Sequence, residues 1–137
     1  MSTVEDLTTW TLAVHNGKVL QPESLKKAFT PNILPDGTNT YYGFGWNIKN
    51  MMGSPSIEHG GGINGFLSSL VYVKGEDVCV VILTNCDCNG PDPLADKLAA
   101  RGAGKNLAPT ALKLENSVLE QYTGVYENDK KEQRIIT

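Results

Sequence analysis

The chain has 137 residues, 40% of them apolar and 20% charged, which suits one domain, or a large piece of one, with a modest core. Its net charge of −3, with no basic cluster larger than Lys130-Lys131, excludes the positive stripe of a nucleic-acid binder. No apolar run approaches the roughly 20 residues of a membrane-spanning helix, so no span is expected.

The start, Met1-Ser2-Thr3-Val4-Glu5-Asp6, has neither the basic residues nor the apolar run of a signal peptide. If a parent protein is exported to the periplasm or secreted, its signal lies outside this chain, and the compartment stays open. The first element is predicted to be a helix. Ser2 or Thr3 can cap it, Glu5 and Asp6 favour its N-terminus, and Leu7, Trp10, Leu12, Ala13 and Val14 give an apolar stripe. His15 then sits at the helix end, where an imidazolium suits the dipole, and Asn16-Gly17 stops the helix. A second short helix is predicted from Pro22 to Phe29, ended by Thr30-Pro31, and Pro35-Asp36-Gly37 is a turn.

From Tyr42 to Ile48 large and small residues alternate, the pattern of a strand with close backbone packing. Ser54-Pro55 reads as a break, after which Ile57-Glu58-His59 runs into glycines. Phe66 to Val73 and Val78 to Thr84 are predicted strands, and the short Lys74-Gly75-Glu76-Asp77 loop makes them antiparallel neighbours. Asn89-Gly90-Pro91-Asp92-Pro93 breaks the chain again. Leu94, Leu98 and Ala99 follow at helical spacing, with Asp92 as the cap. Gly102 to Asn106 is a polar exit, and the tail holds Leu112, Leu114 and Leu119 before a predicted strand, Tyr122 to Tyr126. Lys130 to Thr137 carries charge without periodicity. The expected fold class is α+β: an antiparallel sheet with N-terminal and C-terminal helices packed on it.

Three cysteines with a Cys86-Asp87-Cys88 spacing make neither a disulfide framework nor a zinc pattern. The expectation is three free thiols, Cys79 being a small core residue, and no metal or cofactor.

The strongest chemical signal is His59-Gly60-Gly61-Gly62. The imidazole can donate a hydrogen bond or relay a proton near neutral pH, and the glycines let a ligand approach the backbone N–H groups. Glycines there equally suit a bulge or turn. Glu58, one residue before, points to the opposite face of a strand and is not expected to partner His59. Trp10 and Trp46 read as core or groove aromatics.

Taken together, Tyr42-Gly43-Phe44-Gly45-Trp46, His59-Gly60-Gly61 and Gly65-Phe66-Leu67-Ser68-Ser69 resemble the class C β-lactamase-like serine hydrolases, a group that includes D-alanyl-D-alanine carboxypeptidases, D-aminopeptidases and esterases. The resemblance covers about the first 100 residues. It implies a partial β-lactamase-like domain over residues 1–106. Residues 107–137 would be a linker and the start of a truncated small β domain, whose opening strand Leu119-Glu120-Gln121-Tyr122-Thr123-Gly124-Val125-Tyr126 resembles.

The resemblance also implies roles. His59 would be the catalytic residue on a strand lining the active site, acting as hydrogen-bond donor or proton relay. Gly60, Gly61 and Gly62 would let substrate pair with that strand, and Asn64 and Tyr42 would line the site. The partner implied for the parent protein is a small-molecule or peptidoglycan-like substrate.

In this family the nucleophile belongs to a Ser-x-x-Lys motif and a Tyr-x-Asn element assists it, both well upstream of the histidine triad. The resemblance places both before the stretch this chain covers, and no Tyr-x-Asn is expected to follow in it, so the expectation is an inactive fragment. Ser24-Leu25-Lys26-Lys27 spells Ser-x-x-Lys but sits close before the triad, where the family has a surface helix. The other reading is a non-catalytic binding or self-assembly module that uses an exposed sheet edge.

Overall fold

The computed structural model describes residues 2–105, 115–128 and 131–136. Leu112, Leu114 and the polar stop at Asn106 lie outside the described residues. The chain divides into two compact units, Met1–Leu107 and Ala108–Thr137.

In the first unit, helix α1 is Val4–His15 and helix α2 is Pro22–Ala28, followed by strands β1 (Asn47–Met51), β2 (Ser54–Ile63), β3 (Phe66–Val73) and β4 (Val78–Thr84), then helix α3 (Asp92–Gly102). The strands form one antiparallel sheet in the order β1-β2-β3-β4. The fold is α+β, as the sequence pattern indicates.

Local chemistry sets the boundaries. The Thr3 side chain accepts from the Asp6 N–H at 3.1 Å and caps α1. Pro22 opens α2, where its missing N–H costs nothing. Two expectations are corrected here. Tyr42 to Trp46 is not a strand: Tyr41 and Gly45 take positive φ (53° and 79°), and regular pairing starts only at Asn47. The reason is a close approach. A Cβ on Gly43 would stand 2.1 Å from the Ala28 carbonyl oxygen, so this segment is threaded against the end of α2 instead of lying flat in the sheet. Ser54-Pro55, in turn, opens β2, and the reversal falls one step earlier at Met52-Gly53, both with positive φ.

Period-2 alternation along β3 feeds two cores. Val71 and Val73 face α3, packing with Met51, Ala95, Ala99 and Ala100. Leu70 faces the other way, into a cluster with Val14 of α1, Ala28 of α2, Trp46 and Ile57. The sheet is therefore covered on both faces, a three-layer arrangement. Burying each of the fully enclosed valines stabilises the fold by about 1.5–3 kcal/mol.

Helix α3 corrects the sequence reading in detail. Its buried stripe is Ala95, Ala99 and Ala100, while Leu94 and Leu98 face solvent. Small side chains win because the helix lies close on the sheet; even at Gly102 a Cβ would approach Val78 Cγ1 to 2.9 Å. Pro91, not Asp92, occupies the cap position.

Further polar contacts tie the first unit. Lys105 Nζ donates to Ser54 Oγ at 2.6 Å and pairs with Glu76 at 3.2 Å, joining the α3 exit to two strand ends. Cys86 and Cys88 are joined by a disulfide, which corrects the expectation of three free thiols; their Cα atoms are 5.4 Å apart, within bridging reach, and Cys79 is free.

In the second unit, helix α4 (Asn116–Leu119) runs into a 3-10 turn (Glu120–Tyr122), and strands β5 (Gly124–Glu127) and β6 (Gln133–Ile136) form an antiparallel pair. The charged tail thus contains a strand that its irregular pattern did not announce. Among the described residues no helix is long and apolar enough to cross a membrane.

Candidate functional site

His59 lies midway along β2, and the register explains why that place is special. Strand β1 pairs with β2 from Met51↔Ser54 as far as Asn47↔Glu58 and then ends. Strand β3 pairs with the other edge of β2 all the way to Ile63↔Phe66. From His59 to Ile63, no strand among the described residues pairs with the outer edge of β2. A stretch containing three glycines therefore keeps one main-chain edge open.

An open cleft of about 440 Å³ begins at this point, with Leu7, Trp10 and Trp46 as its apolar wall and His59, Gly60 and Ser68 as its sheet side. Trp10 stacks on Trp46, centroids 5.5 Å apart and planes at 17°, and stays 45% exposed. Further along the same strand, Gly61, Gly62, Ile63, Phe66 and Leu83 line a second, mostly apolar hollow of about 480 Å³.

The structure brings Tyr42 and His59 together. The Tyr42 hydroxyl is 2.9 Å from His59 Nε2, and the rings meet edge to face at 5.9 Å. His59 Nδ1 lies 2.5 Å from the Gly60 carbonyl oxygen. Tyr42 reaches this position because its own carbonyl is held by the Asn32 N–H at 2.9 Å and the Asn32 side-chain amide at 3.1 Å. Ile48 N–H also donates to Tyr41 O at 2.8 Å.

Asn64 is not part of this group. It occupies the two-residue turn between β2 and β3, five residues from His59 and roughly 16 Å along the strand. Gly65 completes the turn with φ +80°, and its N–H donates to Asp87 Oδ2 at 3.0 Å. That tether comes from the Cys86–Cys88 loop. No local pattern announces it, since the two residues are 22 apart.

Glu58 faces away from His59, as strand alternation requires. It is buried, accepts from Ser56 Oγ at 2.7 Å and pairs with Lys49 Nζ at 2.5 Å. Asp96 of α3 lies on that same side; burial first, and then the Glu58 charge, push its carboxyl above the usual range. Asp92 closes in under Gly60, where a Cβ would come within 3.4 Å of its Oδ1.

Ser24 and Lys27 are both exposed on α2 and line neither hollow along β2. The expectation that no Tyr-x-Asn follows Ser24 is corrected: Tyr126-Glu127-Asn128 spells it, after the triad, on β5 and its exit in the second unit. Among the described residues no three His, Cys, Asp or Glu side chains gather as a metal site.

His15 departs from its expected role. Its ring stacks on Tyr72 at 3.8 Å and on Phe29 at 4.8 Å, and its buried Nε2 finds no hydrogen-bond partner among the described residues. Burial, and then the nearby Lys74 charge, lower its pKa from 6.5 to about 4. The ring is therefore a neutral aromatic filler and not a cation on the helix dipole.

Comparisons with known proteins agree with this architecture. No curated protein matches the chain. Among solved structures, the octameric penicillin-binding protein homologue from Pyrococcus abyssi superposes with a TM-score of 0.68 at 23% identity, over 95% of this chain and 31% of that one. The present chain thus spans about a third of that relative, and the likeness speaks to the fold. The Beta-lactamase family model matches residues 1–105, the whole segment that carries the sheet, the open strand edge and the Tyr42–His59 pair. The chain belongs to the β-lactamase family.

Proposed function

We propose that this chain is the substrate-pairing portion of a serine hydrolase that acts on amide or ester bonds, with a β-lactam, a D-amino-acid peptide or a small ester as substrate. The observation that carries the reading is the open edge of β2 from His59 to Ile63, which begins where β1 stops. An extended substrate can add to such an edge as a further strand and be held by main-chain hydrogen bonds. His59 then stands at one end of the bound segment, in the cleft whose apolar wall is Trp10 and Trp46, with the Tyr42 hydroxyl 2.9 Å from its Nε2. In this reading residues 107–137 are a linker and the opening of a small β domain.

Hydrolysis also needs an activated nucleophile. Ser24, whose motif is spelled correctly, lies outside the cleft, so the chain alone should pair with substrate and not cleave it. Incubation with a chromogenic cephalosporin and with p-nitrophenyl acetate should give no turnover above the uncatalysed rate. Turnover that disappears in Ser24→Ala would overturn the proposal.

A second reading has its own support. The same edge is self-complementary, and the relative from Pyrococcus abyssi is described as octameric. An assembly module would form a dimer or larger species by sedimentation and would not dissociate when a substrate-like dipeptide is added. A substrate-pairing edge predicts a monomer, or an oligomer that the dipeptide competes apart.

A further inference from the structure

We infer that the row of residues crossing the sheet at Gly61 is a specificity trough for a bulky apolar side chain, carried by the ligand residue that pairs opposite Gly61. The strand registers set the row. Gly61 pairs with Ser68, and Ser68 with Leu83, so the three stand side by side on one face of the sheet. It is the face of Leu70, two residues from Ser68, and hence the side on which α1 packs. The rows on either side are bulky. His59 pairs with Leu70, and Ile63 with Phe66, again on that face. Between two rows of large side chains thus lies one that starts with a glycine and a serine.

The result is a channel that opens at the unpaired edge of β2, runs over Gly61 and Ser68 for two strand spacings, roughly 10 Å, and ends on Leu83. The apolar hollow of about 480 Å³ lies here, and no charged residue lines it. Its walls are bare: Ile63 is 74% exposed, Phe66 55% and Leu83 39%, although Leu70 beside them is buried in one cluster with Val14 of α1. Gly61 keeps the entrance free. A Cβ there would stand 2.9 Å from Ser68 Oγ, on the channel floor.

The occupant follows from the edge. An extended peptide of L residues added to β2 as a further strand presents each side chain on the same face as the residue it pairs with. A side chain opposite His59 or Ile63 abuts a large neighbour. One opposite Gly61 meets none, and can lie across the strand along the channel, where it covers apolar surface of Phe66 and Leu83. Leucine, methionine and phenylalanine have the reach and the apolar surface for it. A charged side chain would give up its water there with no opposite charge to meet it. This deepens the substrate-pairing reading and rests on it: it adds which residue of the ligand is recognised, and by what.

The test is titration of the labelled chain with three N-acetylated tripeptide amides, Ala-Leu-Ala, Ala-Asn-Ala and Ala-Ala-Ala. Binding is followed on the His59–Ile63 amides, the Phe66 ring and the Leu83 methyl signals. The leucine peptide should bind about fivefold to tenfold more tightly than the alanine peptide, the weight of partly burying its three extra carbons, and it alone should move Phe66 and Leu83. The asparagine peptide, of similar shape but polar, should gain nothing over alanine. Phe66→Ala removes a wall and Ser68→Leu fills the floor; either should bring the leucine-to-alanine ratio to within about twofold. Equal affinities for leucine and alanine in the wild-type chain, with the edge amides shifting, would overturn the inference and leave the edge reading standing. No shift with any peptide would overturn both. A dimer that Phe66→Ala dissolves, with no preference among the peptides, would assign the hollow to a second copy of the chain and overturn the inference as well.

Discussion

His15 and His59 are the same residue type in two environments, and their surroundings give them opposite uses. His59 is exposed and bonded through both nitrogens. His15 is packed among Tyr72, Phe29 and Trp46 with its Nε2 unpartnered, and its pKa falls from 6.5 to about 4. Because the folded value lies below the free one, neutral His15 contributes stability that is fully present above about pH 6.5. That contribution is lost progressively as pH falls towards 4, where the unfolded chain takes up a proton that the folded chain resists. The urea midpoint of the wild-type chain should therefore drop across this window. In His15→Phe, which fills the same aromatic sandwich, that part of the drop should vanish. Equal slopes for the two proteins would contradict the assignment.

At the scale of elements, helix α3 shows how packing overrules the simplest reading of a sequence. Leu94 and Leu98 have the greater apolar area, yet Ala95, Ala99 and Ala100 take the sheet side because only small residues allow the backbone to lie so near β3 and β4. Ala99→Leu should therefore destabilise the first unit by about 1–3 kcal/mol through overpacking, seen as a lower urea midpoint, while Leu98→Ala should change it by less than about 0.5 kcal/mol. A larger loss from Leu98→Ala than from Ala99→Leu would reverse this picture.

The central hairpins were legible in the sequence for a matching reason. Phe66 to Val73 and Val78 to Thr84 are apolar runs joined by a short Gly-containing loop, a purely local signal, and the strands appear at those bounds. The Tyr42 to Trp46 segment was misread as a strand because its alternation comes from Gly43 fitting against Ala28 O, a tertiary contact that no local pattern reveals. The last strand, Gln133–Ile136, was missed because only pairing with Gly124–Glu127 makes it one.

At the scale of the molecule, the sheet is closed on both faces by helices but open along half of one strand. Residue types alone pointed to His59, Gly60, Gly61, Gly62 and Tyr42. They could not show that β1 stops opposite Glu58, nor that Tyr42 is hydrogen-bonded to His59, because strand register and side-chain pairing depend on residues 11 and 17 positions apart. They also grouped Asn64 with the site, whereas the turn carries it to the far end of the strand. The Asp87 tether on Gly65 holds that far end in place, so the open edge has a fixed support at each limit: the β1 pairing at Glu58 and the capped turn beyond Ile63.

Whether this edge receives a ligand is tested most directly by titrating the labelled chain with N-acetyl-D-alanyl-D-alanine and following the backbone amide signals. The account predicts shifts confined to His59–Ile63 and Tyr42, with the amides of β4 and α3 unmoved. Shifts elsewhere with the β2 edge silent, or no shift at millimolar dipeptide, would contradict it.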